Sequence, residues 1–309
     1  MVTNQSDTVS LLYPKVCQDW DSLDTPIKRR LAVCELPLAQ WIYERQQGAE
    51  RALLVGINGP QGCGKSTTVV SLKSLLEQYY GLRVAIVSID DFYLTRATRR
   101  SLAESVHPLL ITRGVPGTHD VSLAMDILEK LRSPGSHASL PVPHFNKAVD
   151  DRFPESAWPV FRRPVDVVLF EGWCVGATPQ PAEALQTPLN NLEQTEDAAG
   201  VWRRYVNDAL ATGYRELFAM LDALMLFSCG DFSWVYDWRK QQELENARRA
   251  EARGSATTAI MNDAQLKRFV LHYERITRHC QASLPGLADV VVPLSKSREV
   301  SALRWRQVE

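Results

Sequence analysis

Five short apolar segments recur along the chain, and stretches with helical periodicity lie between them. Valine, isoleucine, leucine and phenylalanine fill nearly every position of these segments, which is typical of strands buried on both faces of a parallel sheet. Leucine and aromatic positions at helical spacing predict helices near residues 69–79, 121–131 and 263–280. The alternation predicts an α/β fold with a parallel five-stranded sheet flanked by helices. The five predicted strands are RALLVGI (51–57), RVAIVSI (83–89), VDVVLFEGW (165–173), DALMLFSC (222–229) and LADVVVPL (287–294).

The remainder of the chain divides into an N-terminal segment and two irregular stretches. Residues 1–48 are predicted to form a helical N-terminal extension, because apolar residues recur at helical spacing after Pro37, which suits a first helical turn. Residues 49–309 are then predicted to form one domain. Two proline-containing stretches, 132–164 and 175–200, lack a clean period and are predicted to be long surface segments.

The composition of the chain argues against nucleic acids and membranes as binding partners. Lysine and arginine total 35 and aspartate and glutamate total 36, so the net charge is −1 and no global basic field favours nucleic acid or an anionic membrane. No apolar run approaches the roughly 18 residues of a membrane span, and the N-terminus lacks the layout of a secretory signal. The six cysteines are scattered without a CxxC pair, which is typical of reduced thiols. We therefore expect a cytoplasmic protein that binds any anion locally.

The first predicted strand runs directly into an octapeptide that matches the phosphate-binding pattern G-x-x-x-x-G-K-[ST]. Its glycines let successive backbone N–H groups point at one phosphate, and the helix that begins at Lys65 adds the positive end of its dipole. Lys65 is a cation for the outer phosphates, and the Ser66 hydroxyl can ligate Mg²⁺. The strand and amphipathic helix on either side favour this interpretation over a plain glycine-rich turn. The predicted nucleotide-binding residues are Gly59, Pro60, Gln61, Gly62, Cys63, Gly64, Lys65, Ser66 and Thr67.

Carboxylates follow two of the predicted strands at the edge of the sheet where ligands bind in open α/β folds. Asp90 and Asp91 end the second strand, and Glu171 ends the third. A kinase needs a carboxylate there to accept the proton of the acceptor hydroxyl, and another to hold Mg²⁺ and its waters. The alternatives are a turn or capping role for the two aspartates and a solvated strand end for the glutamate.

Three segments carry more specific motifs, namely SIDDFYL (88–94), RGVPGTHD (113–120) and VLFEGW (168–173). Together they resemble the D-glycerate 3-kinase family of P-loop small-molecule kinases, whose relatives include the uridine and pantothenate kinases. The resemblance covers nearly all of the chain from residue 37 onward. It implies a P-loop NTPase fold with a helical lid, ATP and Mg²⁺ as cofactors, and a small-molecule acceptor. Uncharacterised kinases share the motifs, which therefore indicate the family more strongly than the acceptor.

The resemblance also implies roles for matching positions. Asp90 stands where the related kinases have their base, and Asp91 is the alternative. The implied catalytic residues are Lys65, Asp90, Glu171 and Arg239, and the implied metal ligands are Ser66, Asp90 and Glu171. The implied substrate-binding residues, on the acceptor side, are Asp91, Tyr93, Arg113, His119, Asp120, Lys147, Asp151 and Arg152.

A charge-rich segment near residues 231–255 carries Arg239. The resemblance implies a lid that closes over ATP and brings Arg239 to the transferred phosphoryl group. The charge pattern alone favours a solvated helix, in which Arg239 and Glu243 form an i,i+4 pair that contributes about 0.3–0.5 kcal/mol.

The favoured function is transfer of the γ-phosphoryl group of ATP to a hydroxyl of a small hydroxy acid, above all D-glycerate. The carboxylate of such an acceptor is expected to pair with Arg113 or Arg152, since the planar guanidinium binds carboxylates through two hydrogen bonds. The chain departs from the family beside Lys147, where Ala148 replaces a serine and the glycines before Asp151 are missing. The alternatives are a pantothenate-like or nucleoside-like acceptor, and a nucleotide-switched regulatory ATPase.

Overall fold

A computed structural model describes residues 24–133, 139–162, 164–252 and 261–307. The helices are α1 (Thr25–Arg30), α2 (Leu36–Gln46), α3 (Lys65–Tyr80), α4 (Arg96–Ser105), α5 (Val121–Arg132), α6 (Asn191–Glu196), α7 (Val201–Ala211), α8 (Gly213–Ala219), α9 (Ser233–Ala252) and α10 (Asp263–Ser283). The strands are β1 (Leu53–Asn58), β2 (Val84–Ser88), β3 (Ser139–Pro141), β4 (Phe145–Asn146), β5 (Asp151–Arg152), β6 (Val160–Arg162), β7 (Val167–Gly172), β8 (Ala223–Cys229), β9 (Val290–Leu294) and β10 (Arg304–Trp305).

The central sheet has six strands in the order β10-β9-β8-β1-β7-β2. Strands β1, β2, β7, β8 and β9 are parallel, so the predicted five-stranded parallel sheet is confirmed. The sixth strand, β10, is a two-residue antiparallel addition at the edge beside β9, too short to produce an apolar run in the sequence. Every residue of β1 is buried, which explains why the strand that leads into the phosphate loop has no polar alternation.

Two apolar clusters cover the sheet. One contains residues of α2 and α3, and the other contains residues of α5, α7 and α8. Helix α10 begins at a capping box in which Asn262 and Gln265 exchange side-chain-to-backbone hydrogen bonds, close to the start that its sequence predicts. No helix of the described segments is both long enough and apolar enough to cross a bilayer.

The described part of the N-terminal extension packs against the sheet domain. A π-helical turn at Leu31–Glu35 joins α1 to α2 just before Pro37, whose ring nitrogen has no hydrogen to donate. Leu38 and Ile42 of α2 are fully buried in the cluster that also contains α3. Residues 1–23 of the predicted extension and residues 253–255 of the predicted lid lie outside the described residues.

Both predicted surface segments contain structure that their sequence did not indicate. In the 132–164 stretch, β3 pairs with β6 and β4 pairs with β5, giving two short antiparallel ribbons. In the 175–200 stretch, Glu193 of α6 is fully buried and forms an ion pair with Arg275 at 2.6 Å. The surface prediction is therefore wrong for this part, because polar residues here make buried pairs with α10 rather than contacts with water.

Candidate active site

The phosphate loop closes tightly between β1 and α3. Gly62 has a φ of 72°, and a β-carbon at this position would lie 2.7 Å from the backbone carbon of Trp238. Only glycine fits both the left-handed conformation and this close approach. The carbonyl oxygen of Gly62 also accepts a hydrogen bond from Arg298 at 3.0 Å. Trp238 of α9 and Arg298 therefore hold the loop at Gly62.

A polar cavity opens at the carboxyl ends of β1, β2 and β7. In the parallel register, Ile57 of β1 and Ser88 of β2 both face Glu171 of β7, so the three strand ends meet at one level. This is the edge at which ligands bind in doubly wound sheets. The sequence-predicted residues that line the cavity are Gln61, Gly62, Lys65, Ser66, Asp90, Tyr93, Arg113, Lys147, Glu171 and Arg239.

Asp90 and Asp91 have different surroundings although they are adjacent in the 3₁₀ turn after β2. Asp90 faces the cavity, where its two oxygens accept hydrogen bonds from Tyr93 and Lys147, each at 2.7 Å. Asp91 does not line the cavity and instead accepts from the N–H of Phe145 at 3.1 Å. Asp91 thus anchors the β4–β5 ribbon, whereas Asp90 faces the cavity.

The electrostatic environment keeps Asp90 ionised. Partial burial by itself raises the pKa of Asp90, but the charge of Lys147 and the hydrogen bonds from Lys147 and Tyr93 outweigh it, so the pKa lies well below its usual range. Burial raises the pKa of Asp91 above its ordinary value. The two aspartates therefore differ in the sense expected if Asp90 is the charged group of the site.

Glu171 bridges the phosphate loop to the neighbouring strand. Its carboxylate accepts a hydrogen bond from the Ser66 hydroxyl at 3.1 Å and lies 3.9 Å from Nζ of Lys65. Burial by itself lowers the pKa of Lys65, but the charge of Glu171, followed by those of other acidic neighbours, raises it above its ordinary value. Lys65 therefore remains a cation although its side chain is only 12% exposed.

The residues present fit a magnesium ion that binds together with a nucleotide. Among the described residues, no group of three or more histidine, cysteine, aspartate or glutamate side chains could hold a metal ion by itself. Mg²⁺ is usually bound through one or two carboxylates together with phosphate oxygens and waters. The hydroxyl of Ser66 and the carboxylate of Glu171 are oxygen donors already in contact. Asp90 lines the same cavity, but both of its oxygens have other partners.

On the acceptor side, the structure separates the predicted residues into two groups. Arg113 and Lys147 line the cavity together with Tyr93. His119, Asp120, Asp151 and Arg152 do not. Arg152 donates to the carboxylate of Asp120 and to the carbonyl of Tyr93 at 2.9 Å, and its side chain is only 14% exposed. Of the two candidate arginines, only Arg113 faces the cavity.

The other three predicted substrate-binding residues have structural contacts. His119 is 5% exposed, stacks on Tyr93 and is hydrogen-bonded through Nδ1 to the hydroxyl of Tyr214 at 2.5 Å. Burial lowers its pKa to about 4. Asp120 caps α5 by accepting from the N–H of Leu123, and Asp151 accepts from the N–H of Arg96 at the start of α4. These three residues do not line the cavity, and His119 packs against Tyr93, which does.

Arg239 reaches the cavity from the second turn of α9. Its guanidinium pairs with Glu243, one helical turn along, and lies 5.3 Å from the centre of the Phe269 ring. Helix α9 is anchored up to Trp238, since Val235 and Trp238 are 0% and 2% exposed. The exposed, charge-rich part of the helix follows these residues.

Sequence reasoning missed several residues of the cavity. Trp173 ends the VLFEGW segment just after β7, and Tyr273 lies on α10. Nothing in their spacing showed that the two rings would meet edge to face, with their centres 4.8 Å apart. Gln242 and Phe269 lie on α9 and α10, whose helical patterns do not show which face lines a cavity. The missed lining residues are Ser88, Gly172, Trp173, Gln242, Phe269 and Tyr273.

The fold and the cavity define the class of protein: a P-loop kinase, in which a phosphate loop, a strand-end acid and an acceptor side share one cavity. A relative named as chloroplastic D-glycerate 3-kinase, from Arabidopsis thaliana, is 33% identical over 228 residues, covering 72% of this chain and 46% of its own length. An uncharacterised kinase of Schizosaccharomyces pombe is 34% identical over 239 residues, which are 74% of this chain and 82% of that protein. The chain therefore belongs to the D-glycerate 3-kinase family of P-loop kinases.

A solved structure supports the same grouping. The D-glycerate 3-kinase of Cryptococcus neoformans superposes with a TM-score of 0.69 at 26% identity, covering 87% of this chain and 97% of that one. No family model matches the sequence. The chain spans about half the length of the Arabidopsis relative.

Proposed function

We propose that this chain transfers the γ-phosphoryl group of ATP to a hydroxyl of a small hydroxy acid, and that the acceptor is D-glycerate. The observation that carries the proposal is the composition of one cavity. The phosphate loop, the carboxylate of Asp90 and the cations Arg113 and Lys147 all line it, so that a base and a carboxylate-binding group lie on the side opposite the phosphates. Relatives named D-glycerate 3-kinase support the same acceptor.

On the nucleotide side, the backbone of the loop and Lys65 bind the phosphates. Ser66 and Glu171 would hold Mg²⁺, which when bound would neutralise charge on the phosphate oxygens. A second cavity lies on the other side of the loop and is lined by Gly64, Thr67 and Arg298 among others. We assign it to the nucleoside part of ATP, because it continues from the phosphate loop.

On the acceptor side, Asp90 accepts the proton of the attacking hydroxyl. The acceptor oxygen forms a bond to the γ-phosphorus while the bond to the β–γ bridging oxygen breaks, and ADP leaves with that bond's electron pair. Lys147 must release one oxygen of Asp90 for this step, and an incoming carboxylate offers the 60% exposed Lys147 an alternative partner. Arg239 stabilises the charge that develops on the phosphoryl group.

Closure of the lid involves the part of α9 after Trp238. The earlier residues are packed against Gly62 and the 295–300 segment, and Nε1 of Trp238 donates to the carbonyl of Lys296 at 2.8 Å. A helix that is anchored up to Trp238 and solvated after it can move in its later part while its first residues stay in place.

The acceptor's carboxylate is the main feature that such a site can recognise. D-Glycerate has three carbons, so apolar burial contributes little to its binding. A cavity with net positive charge is unfavourable when the anion it binds is missing, and sites of this kind discriminate by about 10³-fold or more. The chain is therefore expected to phosphorylate D-glycerate and not glycerol.

The test is a spectrophotometric assay of ADP release with D-glycerate, glycerol, pantothenate and uridine as acceptors. The expected result is release that depends on D-glycerate, with kcat/KM about 10³-fold above that for glycerol. Arg113→Ala should remove most of this difference by weakening glycerate alone, whereas Arg100→Ala, an exposed arginine outside the cavity, should not. A better neutral acceptor would refute the glycerate proposal, and ADP release independent of any acceptor would favour the regulatory ATPase.

A further inference from the structure

Asp150 has an unusual backbone conformation next to the acceptor side. Among the described residues, Asp150 and Arg298 are the non-glycine positions with positive φ, at 58° and 66°. The left-handed conformation is unfavourable for residues with a β-carbon, although aspartate and asparagine tolerate it better than most. Local strain of this kind persists only where surrounding contacts maintain it. For Asp150, those contacts are two arginines.

The first arginine, Arg99 of α4, is completely buried. Its guanidinium donates to the carbonyls of Leu94, Ile111 and Asp150 at 3.2, 2.5 and 2.7 Å. Within the described part of the chain, the carboxylate of Asp150 at 3.0 Å is the one acidic group within ion-pair distance of it. Because a buried charge without a counter-ion is strongly unfavourable, Arg99 fixes where this carboxylate lies.

The second arginine is Arg113, which lines the cavity and is 27% exposed. Its Nη1 donates to Oδ1 of Asp150, while the other oxygen of the carboxylate faces Arg99. The ring of Phe145 lies under both guanidiniums, at 5.4 Å from Arg113 and 5.9 Å from Arg99. The shared carboxylate therefore connects a buried, immobile arginine to a partly exposed one that faces the cavity.

The backbone of Arg113 is fixed independently. Its carbonyl accepts a hydrogen bond from the hydroxyl of Tyr273 at 3.1 Å, and the carbonyl of Gly114 accepts from Nε1 of Trp173 at 3.0 Å. With the main chain held in this way, the remaining freedom of Arg113 lies in its side-chain rotamers. A charge-assisted hydrogen bond at one terminal nitrogen removes much of that freedom, because it defines the direction of the planar guanidinium.

We infer that Asp150 is a positioning residue for acceptor recognition: its carboxylate, itself fixed by Arg99, orients the guanidinium of Arg113 toward the acceptor's carboxylate. The inference rests on the proposed function. It also accounts for the charge of the cluster, since two arginines and one aspartate leave one net positive charge, matched to one carboxylate of the acceptor.

The test compares Asp150→Asn with the unmodified chain in steady-state assays with D-glycerate. Asparagine tolerates the left-handed conformation and keeps an acceptor oxygen, but it removes the counter-ion of the buried Arg99, so the fold of the variant is checked by circular dichroism and its melting temperature before the assay. The expected result is a KM for D-glycerate raised about tenfold, with kcat and the KM for ATP changed less than about twofold. Asp126→Asn, an exposed carboxylate on α5 that pairs with Lys130, serves as the control for loss of a surface charge.

A double variant separates positioning from general loss of structure. If Asp150 acts through Arg113, then Asp150→Asn should add little to the effect of Arg113→Ala on the KM for D-glycerate. Three outcomes would each overturn the inference while leaving the proposed function intact. The effects of the two substitutions on the KM for D-glycerate could add, or Asp150→Asn could leave this KM unchanged. Asp150→Asn could also lower it, which would show that Asp150 competes with the acceptor for Arg113. Failure of the unmodified chain to phosphorylate D-glycerate would overturn both.

Discussion

Replacing Asp90 with asparagine is the most direct test of the catalytic assignment. The substitution keeps the shape of the side chain and lets the amide oxygen accept from Lys147 and the amide nitrogen donate to the hydroxyl of Tyr93, the two groups that contact Asp90 at 2.7 Å. The polar contacts that hold the cavity are thereby retained. The group that accepts the acceptor's proton is lost.

The expected size of the effect follows from the usual contribution of general-base catalysis. General-base catalysis contributes about 10²–10⁴-fold, so kcat should fall by at least about 10²-fold, which corresponds to about 2.7 kcal/mol in the activation barrier. Binding of ATP should change little, because Lys65 has Glu171 as its nearer carboxylate partner at 3.9 Å. The side chain of Asp90 is 29% exposed, so the substitution leaves no fully buried unpaired group.

The assay measures kcat and both KM values for Asp90→Asn beside Asp91→Asn. In Asp91→Asn the amide oxygen still accepts from the N–H of Phe145, and the carboxylate it replaces does not line the cavity, so kcat should fall less than about tenfold. The opposite order, with Asp91→Asn crippled and Asp90→Asn near normal, would show that the two roles are reversed.

Two further predictions concern Arg239 and His119. Arg239→Ala should lower kcat more than it raises either KM, because the contact of Arg239 with the phosphoryl group strengthens as charge develops. Alanine at the exposed Arg248 of the same helix should change neither kcat nor KM. An equal loss of kcat in the two variants would contradict this prediction. The pKa of His119 is about 4 in the folded chain, against an ordinary value of 6.5. Below pH 6.5 the folded chain therefore binds fewer protons at this residue than the unfolded chain does. The free energy of unfolding should fall by about 2 kcal/mol between pH 7 and pH 5 for this reason. Urea unfolding at pH 7 and pH 5 should show that the free energy of unfolding falls less for His119→Gln than for the unmodified chain. An equal fall in both would refute the lowered pKa of His119.

Local patterns were sufficient for the sheet, the phosphate loop and the strand-end acids. Strands buried on both faces require unbroken apolar runs, and a phosphate loop requires glycines and a lysine at set spacing, so both features can be recognised within a few residues of sequence. The carboxyl ends of parallel strands meet at one edge, which is why Glu171 and the Asp90-Asp91 pair were expected near the loop.

Tertiary structure decided which of the chemically equivalent candidates faces the cavity. Arg113 and Arg152 are both arginines of acceptor-side segments. Arg152, however, donates to Asp120 and to the carbonyl of Tyr93 and does not line the cavity. The direction of a loop side chain depends on partners distant in sequence, and no local period encodes it. For the same reason, the contact of Tyr273 with the backbone of Arg113, 160 residues away in the chain, became visible only when the elements were packed together.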